Sequence, residues 1–334
     1  MSAEIKKQDG TEDVGFDLSL RPSRWEEYVG QDNVKKNLRL IVDAAKGRNE
    51  SCDHILFYGQ PGLGKTTLAY LVGKEMGANI KSTSGPALEK TGDIAALLTN
   101  LEPNEILFID EAHRVNTMVE EILYPAMESR KLHLIVGKGP SARTFSLDLP
   151  PFTIIAATTK ANLISAPLRS RFGATFRLDY YTPKDLEQII QRSAKLLAVE
   201  ILPEALPLIA EASRFTPRSA NRILKRARDY AQIYLNNVIN AEAVNKTLEL
   251  LEIDSLGLDN TDRQLLLSII VTFNGGPVGL KALGAALNEE PGTIEDVYEP
   301  FLMKLGLLNR TSAGRTATDL AYEHLGLKKK GGLV

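Results

Sequence analysis

Two rhythms of apolar and polar residues run through this chain. From Ile55 onward, short apolar runs bounded by turn residues alternate with longer stretches in which apolar residues recur every three or four positions. That alternation builds a parallel sheet whose strands are covered by helices on both faces. Strands are expected at Ile55 to Tyr58, Ile106 to Ile109, Phe152 to Ala156 and Thr175 to Leu178. Between the second and third, Leu132 to Leu149 has two apolar arms around Gly137-Lys138-Gly139-Pro140, which predicts a hairpin projecting from the sheet.

The rhythm changes after Tyr180-Tyr181-Thr182-Pro183, where Thr182 can cap and Pro183 can open a helix carrying Leu186, Ile189, Ile190 and Leu197 on one face. From there to about Ile253 the pattern reads as helical throughout. Thr216-Pro217 opens a second helix with a single stripe of Ala220, Ile223, Leu224, Ala227 and Ala231. Asp254 to Asn260 is a candidate connection to a third unit, in which Leu266, Ile269, Ile270 and Phe273 form one helix face. A Gly275-Gly276-Pro277 break and a short helix around Leu280, Leu283 and Leu287 follow. Thr293-Ile294-Glu295-Asp296 matches a capping box and is expected to open the next helix, with Gly306 ending it. Leu307 to Arg310 and Arg315 to Thr318, around a turn containing Gly314, complete a helical trio plus hairpin, the outline of a winged helix. Residues 1–17 are polar and aperiodic and are expected to be mobile. The expected domains are therefore 18–182 with the parallel sheet, 183–256 all helical, and 257–330 winged-helix.

Composition narrows the setting. The chain has 334 residues, enough for two or three cores. No apolar stretch is long enough to span a membrane, and no secretory leader is expected. The single Cys52 excludes an internal disulfide framework and fits a reducing cytoplasm. His54, His113, His133 and His324 are too scattered for a zinc motif. A formal charge of -2 gives no global attraction to nucleic acid, so any DNA contact must be local.

The chemistry concentrates after the first strand. Gly59-Gln60-Pro61-Gly62-Leu63-Gly64-Lys65-Thr66 fits the phosphate-binding pattern GxxxxGK[ST] between a strand and a helix that Gly77 can end. Glycines let backbone N–H groups close on phosphate oxygens at the positive end of the following helix. Lys65 is assigned to the terminal phosphates and Thr66 to magnesium. Ile106-Leu107-Phe108-Ile109-Asp110-Glu111 delivers two carboxylates to the end of a buried strand. Asp110 is placed to steer magnesium and Glu111 to polarise an attacking water. Ala112-His113 completes a DEAH string, without a second ATPase core to match it. Thr158 and Thr159 end the third strand, and Thr159 is the favoured γ-phosphate sensor. Arg169 and Arg171 are either solvated charges or ligands of a nucleotide.

These elements in this order resemble the AAA+ ATPases, and their details are similar to the Holliday-junction branch-migration motors within them. The resemblance covers nearly everything after Asp17. It rests on Arg21-Pro22 through Tyr28-Val29-Gly30-Gln31, the phosphate loop, Ile122-Leu123-Tyr124-Pro125-Ala126-Met127-Glu128 and Asp148-Leu149-Pro150-Pro151-Phe152-Thr153. Asn274-Gly275-Gly276-Pro277-Val278-Gly279-Leu280 and Thr293-Ile294-Glu295-Asp296-Val297 add to it. It implies an AAA+ domain, a small lid and a winged-helix domain, ATP and Mg2+ as cofactors, and a homo-hexameric ring that moves double-stranded DNA during recombination and repair. Leu20, Arg21 and Tyr181 would hold the base, and Gly62, Gly64 and Thr67 would join Lys65 and Thr66 around the phosphates. Arg171 would reach a neighbouring subunit's γ-phosphate, and Arg218 would couple nucleotide state to the lid. The Leu132 to Leu149 hairpin would dock a RuvA-type junction-binding partner, Arg310 and Arg315 would meet DNA phosphates, and a junction resolvase is a further candidate partner.

Some positions depart from the family pattern. Arg310-Thr311-Ser312-Ala313-Gly314-Arg315 lacks a middle arginine, and Pro291 stands where a basic residue is common. Each lost phosphate contact flattens the salt dependence of binding by about one unit of slope. Gln60 and Ser129 also differ from common choices. Two rival activities share every nucleotide residue: an ATP-dependent DNA-binding switch that does not translocate, and a protein-remodelling AAA+ ATPase.

Overall fold

The computed structural model describes residues 19–136 and 143–329. The 1–17 segment and the Gly137 to Pro140 turn lie outside the described residues. The backbone packs as two compact units: one takes the chain through Leu196 together with Thr216–Asn221, and the other takes Leu197–Phe215 and the chain from Arg222 onward.

The first unit is built on a five-stranded parallel sheet in the order β2-β3-β6-β1-β7. Its strands are β1 (Ile55–Tyr58), β2 (Ile80–Ser84), β3 (Ile106–Asp110), β6 (Thr153–Thr158) and β7 (Ala174–Arg177). Every residue of β6 is buried, which explains why its sequence runs apolar without alternation. Helices Thr91–Thr99 and Thr117–Ser129 cover one face, where Ile94, Leu98, Val119 and Leu123 join Leu107, Ile109, Ile154 and Ala156 in one core. Four strands stand where the sequence puts them, to within two residues. The fifth, β2, was missed because Ile-Lys-Ser-Thr-Ser at a sheet edge carries a single apolar residue.

The expected hairpin forms from β4 (Lys131–Val136) and β5 (Arg143–Asp148), paired antiparallel from Lys131↔Asp148 to Val136↔Arg143. Phe145 and Leu147 stand exposed on it. Thr182 caps helix Pro183–Leu196 as expected, accepting the Asp185 N–H at 3.2 Å, while the Asp185 carboxylate accepts the Thr182 N–H at 3.1 Å.

The second unit departs from the all-helical reading in one place. β8 (Glu200–Ile201) and β9 (Val238–Ile239) pair in parallel; two residues per strand are too few to register as periodicity. Helix Pro217–Tyr234 buries its Ile223, Leu224, Ala227 and Ala231 stripe. In the winged helix, Leu265, Leu266, Ile269 and Ile270 are buried, and the helix Asn260–Leu267 continues as a π-turn through Ser268–Thr272. The capping box expected at Thr293 is absent. The helical segment opens two residues earlier at Pro291, whose fixed φ suits a first turn, and Thr293 already has helical dihedrals. β10 (Leu308–Thr311) and β11 (Gly314–Ala317) form the wing, with Arg310 directly opposite Arg315.

Candidate nucleotide site

The site occupies the C-terminal edge of the sheet, as the strand order requires. Gly59 leaves β1 with its N–H donated to the Thr158 carbonyl at 3.2 Å, which ties the phosphate loop to β6. Gly64 has φ +93° immediately before helix Lys65–Met76, a conformation that L side chains rarely adopt, and a Cβ there would sit 3.1 Å from the Tyr28 hydroxyl. Gly77 ends that helix in the left-handed region, as expected.

Lys65 is buried, and its ammonium donates to the carbonyls of Gly59 and Gln60, both at 2.8 Å. Burial pushes its pKa down to about 8; the Arg218 charge adds to this, and Asp110 opposes it. A buried ammonium beside a guanidinium fits a polyanion such as a triphosphate. The buried Nη1 of Arg21, a residue that lines the same pocket as Lys65, has no hydrogen-bond partner among the described residues.

Asp110 ends β3, and Glu111 turns off it at φ +48°, its N–H donated to Asp110 Oδ1 at 2.9 Å. The turn fits because Gly85 lies against it: a Cβ at Gly85 would fall 2.4 Å from the Glu111 carbonyl. Thr66 and Asp110 line the same pocket, a hydroxyl and a carboxylate of the hard-oxygen kind that magnesium prefers. Among the described residues, no group of three or more His, Cys, Asp or Glu is placed to hold a metal, so magnesium there would need phosphate oxygens as well.

One pocket is lined by Leu20, Arg21, Gly62, Gly64, Lys65, Thr66, Thr67, Asp110, Glu111, Thr159, Tyr181 and Arg218. Within the threonine pair, Thr159 faces this pocket, while the Thr158 hydroxyl is 2.9 Å from His113 Nδ1. Sequence reasoning gave no site role to several other lining residues, Tyr28 and Arg192 among them. Tyr28 bonds Tyr181 hydroxyl to hydroxyl at 3.0 Å, and Arg192 donates to the Leu20 carbonyl at 2.8 Å and pairs with Glu27 at 3.3 Å. Neither left a local signal, because each partner lies more than 150 residues away.

Arg171 does not line this pocket. Its guanidinium pairs with Glu128 at 2.9 Å, donates to the Pro167 carbonyl at 2.6 Å and lies 4.4 Å above the Tyr124 ring. Arg169 is exposed. The two wing arginines differ. Arg310 keeps 51% of its side chain exposed and pairs with Glu295 at 2.7 Å. Arg315 is only 10% exposed and is held by the buried Glu299 at 2.6 Å. Of the two residues expected to meet DNA phosphates, Arg310 is the more exposed, while the Nε and Nη2 edge of Arg315 is taken by the carboxylate of Glu299.

Three of the four histidines have hydrogen-bond partners, His113 with Thr158 as above. His54 accepts the Ile154 N–H at 2.8 Å and faces the Met127 carbonyl at 3.3 Å, and His324 pairs with Asp254 at 2.8 Å. Cys52 is buried, its thiol pushed up to about 11 by desolvation. Among the described residues, no helix is long and apolar enough to cross a membrane.

Comparison with known proteins agrees with this geometry. Residues 20–178 match the model of the Holliday junction DNA helicase RuvB P-loop domain, residues 181–254 the RuvB AAA lid domain, and residues 255–326 the RuvB C-terminal winged helix domain. The Holliday junction branch migration complex subunit RuvB of Chloroflexus aggregans is 56% identical over 329 residues, covering 98% of this chain and 94% of that protein. The Thermotoga maritima RuvB Holliday junction branch migration motor superposes with a TM-score of 0.84 at 49% identity, covering 93% of this chain and 99% of that one. A point mutant of the same Thermotoga protein gives 0.85 at 48% identity, covering 92% of this chain and 99% of that one. With a P-loop, lid and winged helix all matched in order across nearly its whole length, this chain belongs to the RuvB family of AAA+ ATPases.

Proposed function

We propose that this protein is an ATP-driven double-stranded DNA translocase that drives branch migration of four-way junctions as a homo-hexameric ring. The observation that carries this reading is the convergence of Lys65, Asp110, Glu111, Thr159 and Arg218 on one pocket, since phosphoryl transfer needs positioned charge rather than covalent chemistry. Bound magnesium would neutralise phosphate charge, held by Thr66 and Asp110. On binding, Lys65 exchanges the Gly59 and Gln60 carbonyls for phosphate oxygens. Glu111 orients and polarises the water, and Thr159 offers its hydroxyl to the γ-phosphate or that water. Leu20, Arg21 and Tyr181 hold the base, and Gly62, Gly64 and Thr67 complete the phosphate cradle.

Arg171 acts on a neighbouring subunit's nucleotide, a reading supported by its position outside its own chain's pocket. Arg218 reports nucleotide state to a lid spanning 183–256. The 131–148 hairpin, with Phe145 and Leu147 exposed, docks a RuvA-type partner, and Arg310 of a wing in domain 257–330 contacts DNA phosphate. A junction resolvase would act on the same junction.

The test is ATP hydrolysis with and without duplex DNA and a junction-binding partner, run beside branch migration of a four-way junction. Stimulation by DNA and movement of the junction are expected. DNA binding without movement would indicate a switch, and a total lack of DNA-linked activity would indicate protein remodelling.

A further inference from the structure

His113 completes the acidic string yet takes no part in the chemistry above. Its ring instead reaches strand β6, with Nδ1 at 2.9 Å from the Thr158 hydroxyl oxygen, and Thr158 is only 1% exposed. That oxygen also accepts the Lys160 N–H at 3.0 Å, closing a turn whose middle residue is Thr159. The Thr158 carbonyl accepts the N–H of Gly59, the first residue of the phosphate loop, at 3.2 Å. One buried threonine therefore touches the phosphate loop, the sensor turn and the histidine.

On the other side, His113 belongs to the short 3-10 turn Ala112–Arg114 that starts from Glu111. The Arg114 N–H is donated to the Glu111 carbonyl at 2.9 Å, so the histidine and the carboxylate share one tightly closed turn. The β3–β6 register ends at Ile109↔Ala156. Beyond that point the strands' own pairing no longer fixes the gap between Glu111 and Thr159, and the His113–Thr158 hydrogen bond spans it.

We propose that His113 and Thr158 form a positioning brace that sets the spacing between the Glu111 carboxylate and the Thr159 hydroxyl across the reacting phosphate. The proposal rests on the ATPase reading above. Neither residue is a catalytic residue; each acts through the neighbour it holds. Misplacement of a reacting group by about 1 Å costs on the order of a hundredfold in rate, whereas ground-state binding through the phosphate loop is much less sensitive.

The test uses the full-length protein and four variants: His113→Ala, Thr158→Val, the double variant and Thr158→Ser. Steady-state ATP hydrolysis is measured beside equilibrium binding of a fluorescent ATP analogue and the melting temperature. In His113→Ala and Thr158→Val, kcat should fall roughly 10- to 100-fold, with KM and analogue affinity within about twofold of wild type. The double variant should be no worse than the weaker single, because both remove the same bond, and Thr158→Ser should recover most of the rate. An unchanged kcat in either single variant overturns the brace, as do losses that multiply in the double or a fall in affinity parallel to the fall in kcat. If Thr158→Val fails to fold, the half-buried His113 carries the test through His113→Ala. A wild-type protein that does not hydrolyse ATP would sink the underlying reading, whereas active wild type with unimpaired variants sinks only the brace.

Discussion

The hydroxyls of Tyr28 and Tyr181 meet at 3.0 Å beneath the phosphate loop, and Tyr181 passes its own proton on to the Leu63 carbonyl at 3.3 Å. Tyr28 is therefore the donor to Tyr181. Burial pushes both phenols up, Tyr181 to about 12, so both stay protonated at any working pH. Removing Tyr181's hydroxyl orphans two groups, the Tyr28 O–H and the Leu63 carbonyl. Removing Tyr28's orphans only an acceptor that has already made one bond. Tyr181→Phe should cost about 1–3 kcal/mol of stability and weaken nucleotide binding, and Tyr28→Phe should cost less. Thermal unfolding and nucleotide titration of both variants check the order; the reverse order would refute this assignment of donor and acceptor.

Lys65 gives nucleotide binding a pH dependence. Its pKa in the folded chain, about 8, lies below the ordinary 10.5, so folding penalises the protonated form. That penalty is fully present below about pH 8 and is relieved as pH rises toward 10.5. Phosphate prefers the protonated form, so ATP affinity should decline as pH rises through about 8. A titration series from ~7 to ~9.5 measures this, with Lys65→Arg, which stays charged throughout, as the flat control. Equal slopes for the two proteins would argue against Lys65 as the titrating group.

Arg171→Ala should bind ATP with near-normal affinity, because the side chain lies outside the pocket of its own chain. Its turnover should fall by roughly a thousandfold or more. Mixing it with Lys65→Ala should restore some hydrolysis, since a mixed interface can pair an intact arginine with an intact loop. No recovery in stably mixed rings would rule out action in trans.

The wing arginines should separate cleanly. Arg310→Ala should weaken DNA binding and reduce the salt slope by about one unit, with little effect on folding. Arg315→Ala leaves the buried Glu299 carboxylate without its closest partner and should destabilise the wing by about 3–5 kcal/mol. DNA titrations at several salt concentrations beside thermal unfolding distinguish the two; a pure DNA-binding defect in Arg315→Ala would show that the ion pair opens in solution.

The sequence by itself determined most of what depends on neighbours along the chain, the absent capping box at Thr293 excepted. The phosphate loop, the carboxylates at the end of β3, the Thr182-Pro183 helix start and the buried strands all carry their physical cause within a few residues. Glycine supplies the loop's backbone freedom, burial on both faces makes apolar runs, and a cap needs only three residues. Tertiary structure decided whatever depends on partners far away in sequence. Strand β2 is stabilised by pairing with β3 at a sheet edge rather than by its own composition, so it left no pattern. Thr158 and Thr159 are adjacent and chemically identical, yet the first ends strand β6 with its hydroxyl toward His113, and the second, in the turn beyond, lines the pocket. Arg310 and Arg315 read alike as exposed wing charges until the fold buries Glu299 beside the second. Long-range hydrogen bonding and burial set the roles of these side chains, and neither is written in local sequence.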